Sequence, residues 1–286
     1  MKLGVNADIF PREIGFDEMI RLTGDLGYTG IEFNVQAYDV LPRLWDKRRR
    51  RDLLALAWQN GVEFPSICMN THRTWSFADP DPHIREAGVS LLNEIIDLAV
   101  DLEAGVVLLC AWDGEGLAPE NSWELFKASL SRAIPMAEQK GITLALEAVG
   151  CDFLLTSADL MRMISEIADT LRPGADCLGI YLDVGNAASI GLPVVEEIRA
   201  AGQRACQMHF KDAADGASEA EFFSQTVPLG EGIVDFEEAV RALEEIGFDG
   251  YVLVEVPVAP DDPIRIARES KAFLDALGLG QSAFGS

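Results

Sequence analysis

The chain alternates short apolar runs with longer stretches in which apolar residues return every three or four positions. The short runs lie at 2–7, 29–35, 62–69, 105–111, 142–147, 178–183, 205–210 and 251–256 and read as buried strands. The periodic stretches lie near 16–26, 49–60, 84–103, 121–139, 157–171, 193–201, 235–246 and 264–277 and read as helices. Eight strand–helix units in strict alternation predict an α/β fold, a single closed (β/α)8 barrel. Weak internal repetition agrees: Leu26-Gly27-Tyr28-Thr29-Gly30-Ile31-Glu32-Phe33 resembles Ile246-Gly247-Phe248-Asp249-Gly250-Tyr251-Val252-Leu253. Both read as a helix end, a glycine turn and a new strand. Gly61, Gly105 and Gly141 likewise precede strands and are expected to end helices on the bottom face of the barrel.

No linker or low-complexity stretch divides the chain, so residues 1–286 are expected to form one domain, with 278–286 as a frayed tail. Two connections that follow strands are long, 70–83 and 211–234. On a barrel they fall on the C-terminal face, where long loops serve as substrate lids.

The last four strand-like runs each end in a group that can ligate a cation: Glu147, Asp183, His209 and Glu255. The C-terminal ends of barrel strands are where such folds place their chemistry. Adjacent strands lie about 4.8 Å apart, so four successive strand ends can converge on one ion. Three carboxylates and one imidazole suit Mn²⁺, with Co²⁺, Mg²⁺ and Zn²⁺ as rivals. Such an ion acts as a Lewis acid on a 2-ketose chelated through O2 and O3, polarising the C2 carbonyl and stabilising the enediolate left when the C3 proton departs. Epimerisation then needs bases on both faces of the planar centre. Glu147 and Glu255, on the outer two of the four strands, are the expected pair.

Composition narrows the partners. The formal net charge of −24 opposes a phosphate backbone, so nucleic acid is not an expected partner. The basic run Lys47-Arg48-Arg49-Arg50-Arg51 reads as the solvated first turn of a helix rather than an anion patch. No run approaches the ~20 apolar residues of a membrane span, and Met1 to Val5 reads as a first strand rather than a signal sequence, so a cytoplasmic protein with no membrane partner is expected. The five cysteines, at 68, 110, 151, 177 and 206, form no CxxC pair; Cys68, Cys110 and Cys206 lie inside apolar strand-like runs, and the set reads as small buried core residues in a reducing compartment.

Three stretches carry a resemblance to a known family: Tyr181-Leu182-Asp183-Val184-Gly185-Asn186, His209-Phe210-Lys211-Asp212, and Val227-Pro228-Leu229-Gly230-Glu231-Gly232-Ile233-Val234-Asp235-Phe236, with Ser66-Ile67-Cys68-Met69 leading to His72-Arg73 as a fourth. From about residue 2 to 275 the chain resembles the sugar-phosphate isomerase/epimerase group of xylose isomerase-like TIM barrels, and within it the L-ribulose-5-phosphate and L-xylulose-5-phosphate 3-epimerases. The resemblance implies that Glu147, Asp183, His209 and Glu255 bind the metal, that the two glutamates shuttle the proton, and that the chain forms a homo-oligomer, a dimer or tetramer.

The chain departs from the family where His72-Arg73 continues as Thr74-Trp75-Ser76-Phe77 in place of a second Arg and a Gly-Ser. It departs again at Gln225-Thr226, where a basic residue is usual. Both changes remove anion-cradling groups, so a free sugar and a sugar phosphate both stay open as substrates. Candidate substrate-binding residues are His72, Arg73, Lys211, Asp113, Asn186 and Glu231, with Asn186 bracing the loop after Asp183 and Glu231 ordering the Gly-Glu-Gly turn. Lys211 is also read as a partner for a ligand carboxylate. Glu32, at the end of the second strand, is read either as a sugar ligand or as a group orienting a neighbour. Trp75 and Trp112 are pocket-wall or core residues, and His83 is a surface residue. The expected activity is a metal-dependent 3-epimerase of a ketose or ketose 5-phosphate. The alternatives are an aldose–ketose isomerase or an inosose-dehydratase-like lyase on the same site. The type IV apurinic endonucleases share the barrel but need three metal ions and more histidines than the three present here.

Overall fold

The computed structural model describes residues 1–36, 46–71, 73–171, 175–215, 226–256 and 262–280. Eight parallel strands close into a barrel: β1 (Lys2–Asn6), β2 (Gly30–Asn34), β3 (Ser66–Met69), β4 (Val106–Cys110), β5 (Thr143–Glu147), β6 (Leu178–Asp183), β7 (Ala205–Phe210) and β8 (Tyr251–Val254). β1 pairs with both β2 and β8, Lys2 opposite Tyr251 and Val5 opposite Val254, which closes the ring. The helices that follow in turn are α1 (Gly15–Asp25), α2 (Lys47–Gln59), α3 (Pro82–Asp101), α4 (Pro119–Lys140), α5 (Ser157–Thr170), α6 (Val194–Ala201), α7 (Phe236–Glu245) and α8 (Pro263–Ala276). All eight predicted strands and helices are present, with ends shifted by at most a few residues.

β2, β3, β4, β6 and β8 are buried from end to end, and β1, β5 and β7 are open only at their first one or two residues, because helices cover the outside and side chains fill the inside. The helices start where the sequence supplies acceptors. Asp46 caps α2 by accepting from the Arg48 N–H, and Thr156 and Asp159 form a reciprocal capping box on α5. Gly61 and Gly141 end α2 and α4 in left-handed conformations, φ 66° and 70°. Gly105 does not do the same for α3. The left-handed residue there is Glu103, φ 57°, two positions earlier and directly after the helix cap. The predicted repeat holds as geometry: Gly27 and Gly247 each take a positive φ between a helix and the following strand.

The basic run sits in the first turns of α2, and two of its arginines are tied to neighbouring helices. Arg49 pairs with Asp17 on α1, and the buried Arg50 lies 2.7 Å from Asp101 on α3. None of the five cysteines is in a disulfide; Cys68, Cys110 and Cys151 are buried as expected, whereas Cys177 and Cys206 are partly exposed. Among the described residues three kinds of element lie beyond the periodic pattern. They are a short helix Val184–Ser189 directly after β6, a two-residue antiparallel ladder of Asp212–Ala213 with Thr226–Val227, and single 3-10 turns at 7–9, 12–14 and 202–204. Residues 216–225 of the second long loop, and 281–286 of the expected tail, lie outside the described residues.

Candidate active site

The C-terminal ends of β5, β6 and β7 bring Glu147, Asp183 and His209 together, with one potential ligand atom from each within 4.8 Å of the others. His209 turns Nδ1 toward this point, 3.4 Å from Glu147 Oε1 and 3.7 Å from Glu255 Oε2. Glu255 follows β8 directly. Its N–H is bonded to the Phe210 carbonyl at 3.1 Å, which holds it beside β7. Lys211 reaches back from the end of β7, its ammonium 2.7 Å from Asp183 Oδ2 and 2.9 Å from Glu255 Oε2.

Local backbone chemistry fixes these positions. Asp183 is both the last residue of β6 and the cap of the short helix, accepting from the Asn186 N–H at 2.9 Å. A Cβ on Gly185 would stand 2.6 Å from the Lys211 carbonyl oxygen, so only glycine lets this helix sit against the end of β7. Asp212 accepts from the backbone N–H groups of Ala213, Gly230, Gly232 and Val234 at 2.8–3.1 Å, pinning the turn that follows the ladder.

Burial and charge oppose each other throughout the cluster. Burial pushes the Asp183 carboxyl up, against the pull of the Lys211 ammonium. Burial also works to raise Glu255, but Lys211 and His209 outweigh it and hold that carboxylate below its usual range. Burial would lower the His209 imidazole and the Lys211 ammonium. The surrounding carboxylates, Glu255 and Glu32 for the first and Asp183 and Glu255 for the second, hold both well above their ordinary values. Such a set is acid-rich and is knit together by cationic groups. The residues therefore fit a divalent cation: buried oxygen donors and an imidazole nitrogen face one point, and the charges that gather there are those a cation neutralises.

A cavity of about 390 Å³ opens onto the cluster, with Glu147, Asn186, His209, Lys211 and Glu255 in its wall. Its volume is in the range of small-molecule sites. Arg73 stands at the rim with its guanidinium 4.1 Å from the centre of the Trp112 ring, and both line the cavity. Asn186 lines it as well, and its side-chain oxygen is buried without a protein partner among the described residues. Two candidates lie elsewhere. Asp113 is exposed and directs Oδ1 to the Cys151 thiol at 3.6 Å, and Glu231 is exposed beyond the cavity wall. Asp212, one residue past Lys211, holds the Gly-Glu-Gly turn through the Gly230 and Gly232 N–H groups, and Glu231 contributes its backbone N–H to the Pro228 carbonyl at 3.1 Å. His72 lies outside the described residues. Trp75 packs partly buried against the core, and His83 is exposed at the start of α3.

The sequence did not foreshadow the cysteines of the pocket wall. Cys68 and Cys110 line the cavity, and the Cys110 thiol donates toward Glu147 Oε2 at 3.3 Å. Contact with Cys68 works to lower the Cys110 thiol, but burial and the Glu147 charge win and push it up to about 11, so it acts as a donor and not as a thiolate. Glu32 is fully buried away from the cavity and touches His209 on the ring's other side, Oε1 to Nε2 2.7 Å.

A closed parallel barrel with its polar groups gathered at the C-terminal ends of the strands has the architecture of a TIM-barrel enzyme. The sequence model described as the xylose isomerase-like TIM barrel matches residues 20–277, and the chain belongs to that family. It is 28% identical over 258 residues to the L-ribulose-5-phosphate 3-epimerase UlaE of Salmonella typhi, covering 89% of this chain and 86% of that one. Among solved structures it is similar to D-psicose 3-epimerase determined in the presence of D-fructose, with TM-score 0.79, 17% identity, and 98% and 100% of the two chains covered. It is similar also to the protein IOLI with a bound zinc atom, with TM-score 0.78, 21% identity, and 97% and 98% covered. Among the described residues no helix is long and apolar enough to cross a membrane.

Proposed function

We propose that the protein is a divalent-metal-dependent 3-epimerase of a ketose or ketose 5-phosphate. One observation carries the reading: two glutamates approach the ligating nitrogen of His209 from the strands that flank β6 and β7, Glu147 at 3.4 Å and Glu255 at 3.7 Å. Glu147, Asp183, His209 and Glu255 would hold the ion, Mn²⁺ before Co²⁺, Mg²⁺ or Zn²⁺, and its contribution is to polarise the C2 carbonyl and so acidify C3–H. One glutamate takes the C3 proton onto a carboxylate oxygen. The other gives a proton to the opposite face of the same carbon, and the product differs from the substrate only at C3. Lys211 keeps Glu255 ionised and aimed, and Asn186 offers an acceptor to a sugar hydroxyl. Arg73 on its Trp112 platform is the cation at the rim for the far end of the substrate, whether hydroxyl or phosphate. The name of the Salmonella relative supports this class of reaction, and an isomerase-class enzyme is its coarser form. Small sugars or sugar phosphates are the expected partners, in the cytoplasm and in a homo-oligomer.

The test is carbon-bound deuterium. Metal-loaded protein is incubated in D₂O with free and 5-phosphorylated ketopentoses and ketohexoses, and the label is located by NMR. Deuterium at C3 together with a new epimer is the expected result. Label at C1 or C2 would make the protein an aldose–ketose isomerase. A conjugated carbonyl appearing with loss of water would make it a lyase.

A further inference from the structure

We propose that Glu32 is the positioning residue of the metal site: it holds His209 as the tautomer that keeps Nδ1 free for the ion. The proposal rests on the metal-site reading above and adds a residue that touches neither ion nor substrate.

The geometry is specific. Glu32 lies on β2, across the barrel from β6 and β7, and is 0% exposed. Four donors converge on its two oxygens. His209 Nε2 at 2.7 Å and Asn6 Nδ2 at 2.8 Å meet Oε1, and Ser66 Oγ at 2.5 Å and Tyr181 Oη at 2.9 Å meet Oε2. The donors come from β7, β1, β3 and β6, so one carboxylate is fixed from four strands of the barrel. Asn6 is held in turn by a reciprocal pair with Asn34, at 2.8 and 3.1 Å. Tyr181 also packs on the His209 ring, centroids 4.5 Å apart.

A neutral imidazole carries one N–H and one lone pair, and which nitrogen has which depends on their neighbours. Asn6, Ser66 and Tyr181 already donate to the two oxygens of Glu32, so this carboxyl faces His209 as an acceptor and the nitrogen against it is the donor. With an ion bound on the side of Glu147 and Glu255, Nδ1 gives it the lone pair and the one remaining proton stays on Nε2 against Glu32. Ligating histidines elsewhere use a carboxylate in this way, and losing that partner costs about 10–100-fold in metal affinity. Glu32 does not line the cavity, so substrate binding does not explain it. A role confined to knitting the barrel together would need no particular proton on His209.

The test reads the ion and the ring, not the sugar. Zn²⁺ or Mn²⁺ affinity is measured by calorimetry for wild type, Glu32→Gln and Tyr181→Phe. The imidazole nitrogens of Zn²⁺-loaded, ¹⁵N-histidine-labelled protein are assigned by NMR. Glu32→Gln is expected to weaken metal binding by about 10–100-fold, while Tyr181→Phe, which removes a donor from the far oxygen, stays near wild type. Wild-type His209 is expected to carry its proton on Nε2. Wild-type affinity in folded Glu32→Gln, an equal loss in Tyr181→Phe, or a proton found on Nδ1 would each overturn the proposal. If Glu32→Gln fails to fold, the wild-type spectrum still decides. A wild-type protein that binds no divalent ion would remove the metal-site reading itself, and with it this proposal. A protein that binds the ion with the predicted tautomer yet labels no sugar would leave this proposal standing and sink only the assigned reaction.

Discussion

Replacing Lys211 with methionine isolates the cation on which the acidic cluster closes. The ammonium lies 2.7 Å from Asp183 and 2.9 Å from Glu255, and its side chain is 4% exposed. An exposed pair would matter little, but breaking a buried one strands a charge and costs about 3–5 kcal/mol. Methionine retains most of the apolar stem, so little of the loss comes from a new cavity. At about 2–4 °C per kcal/mol, the melting temperature of chelator-treated Lys211→Met should fall by roughly 10 °C. A divalent ion neutralises the same carboxylates, and one present at a hundred times its dissociation constant adds about 2.7 kcal/mol of stability. The variant gains at least this much, because no ammonium competes with the ion for Asp183. Thermal unfolding of both proteins, in chelator and in saturating Mn²⁺, should therefore show a gap that narrows when the ion is added. A loss below about 2 °C in chelator, or a gap unchanged by the ion, would refute the argument that Lys211 and the metal neutralise one set of charges.

Other sites give separate tests. Asp212→Ala leaves four backbone N–H groups without their acceptor and should cost at least about 3 kcal/mol in a urea titration; an unchanged midpoint would show that the turn holds itself. Asn186→Ala removes an unpartnered buried acceptor from the cavity wall and should raise KM for the reactive sugar about 3–10-fold with a smaller effect on kcat; equal KM values would exclude it from substrate binding. The Arg49 guanidinium hydrogen-bonds Asp17 and holds its carboxyl below the usual range, so the pair stabilises above the unfolded pKa of about 3.9 and is lost as pH falls through the folded value. The pair is partly exposed, with side chains 35% and 42% accessible, which limits its worth to under about 1 kcal/mol. Asp17→Asn should therefore lower the melting temperature by a few degrees at pH 7 and by nothing near pH 2; a larger loss at the acidic end would reverse the sign of the argument.

The barrel was legible because its elements announce themselves locally. A strand buried on both faces must be apolar throughout, a covering helix must be apolar on one side, and each signal fits within a window of a few residues. What escaped the pattern was short or shaped by contacts from afar. The Val184–Ser189 helix is six residues long, and it exists where Asp183 caps it and Gly185 lets it approach the Lys211 carbonyl. Glu103 takes the left-handed turn that Gly105 was expected to take, because the position after the helix cap, not the nearest glycine, determines which residue must turn.

Position along a strand also explains which parts of the site the sequence could reveal. Glu147 and Asp183 end their strands and His209 stands one residue before the end of β7, opposite Asp183; parallel neighbours in register place such positions side by side, so their convergence follows from topology. Glu32 follows no such rule. It sits in the middle of β2 and not at its end as the sequence suggests, and its four partners are 26 to 177 residues away in sequence. A glutamate inside an apolar strand is costly unless it is fully bonded, and that cost is the one local sign it gives: Gly30-Ile31-Glu32-Phe33 carries a charge where the fold requires burial. The groups that satisfy it lie on strands across the barrel, so only the closed ring identifies them. The same holds for Lys211, whose place between Asp183 and Glu255 depends on β6, β7 and β8 meeting at one level. Ligand positions are set by strand order, whereas the groups that orient and neutralise them are set by the barrel's interior. The sequence already offers Glu32 as a group orienting a neighbour and Lys211 as a partner for a ligand carboxylate, but which neighbour and which carboxylates follow only from the closed ring.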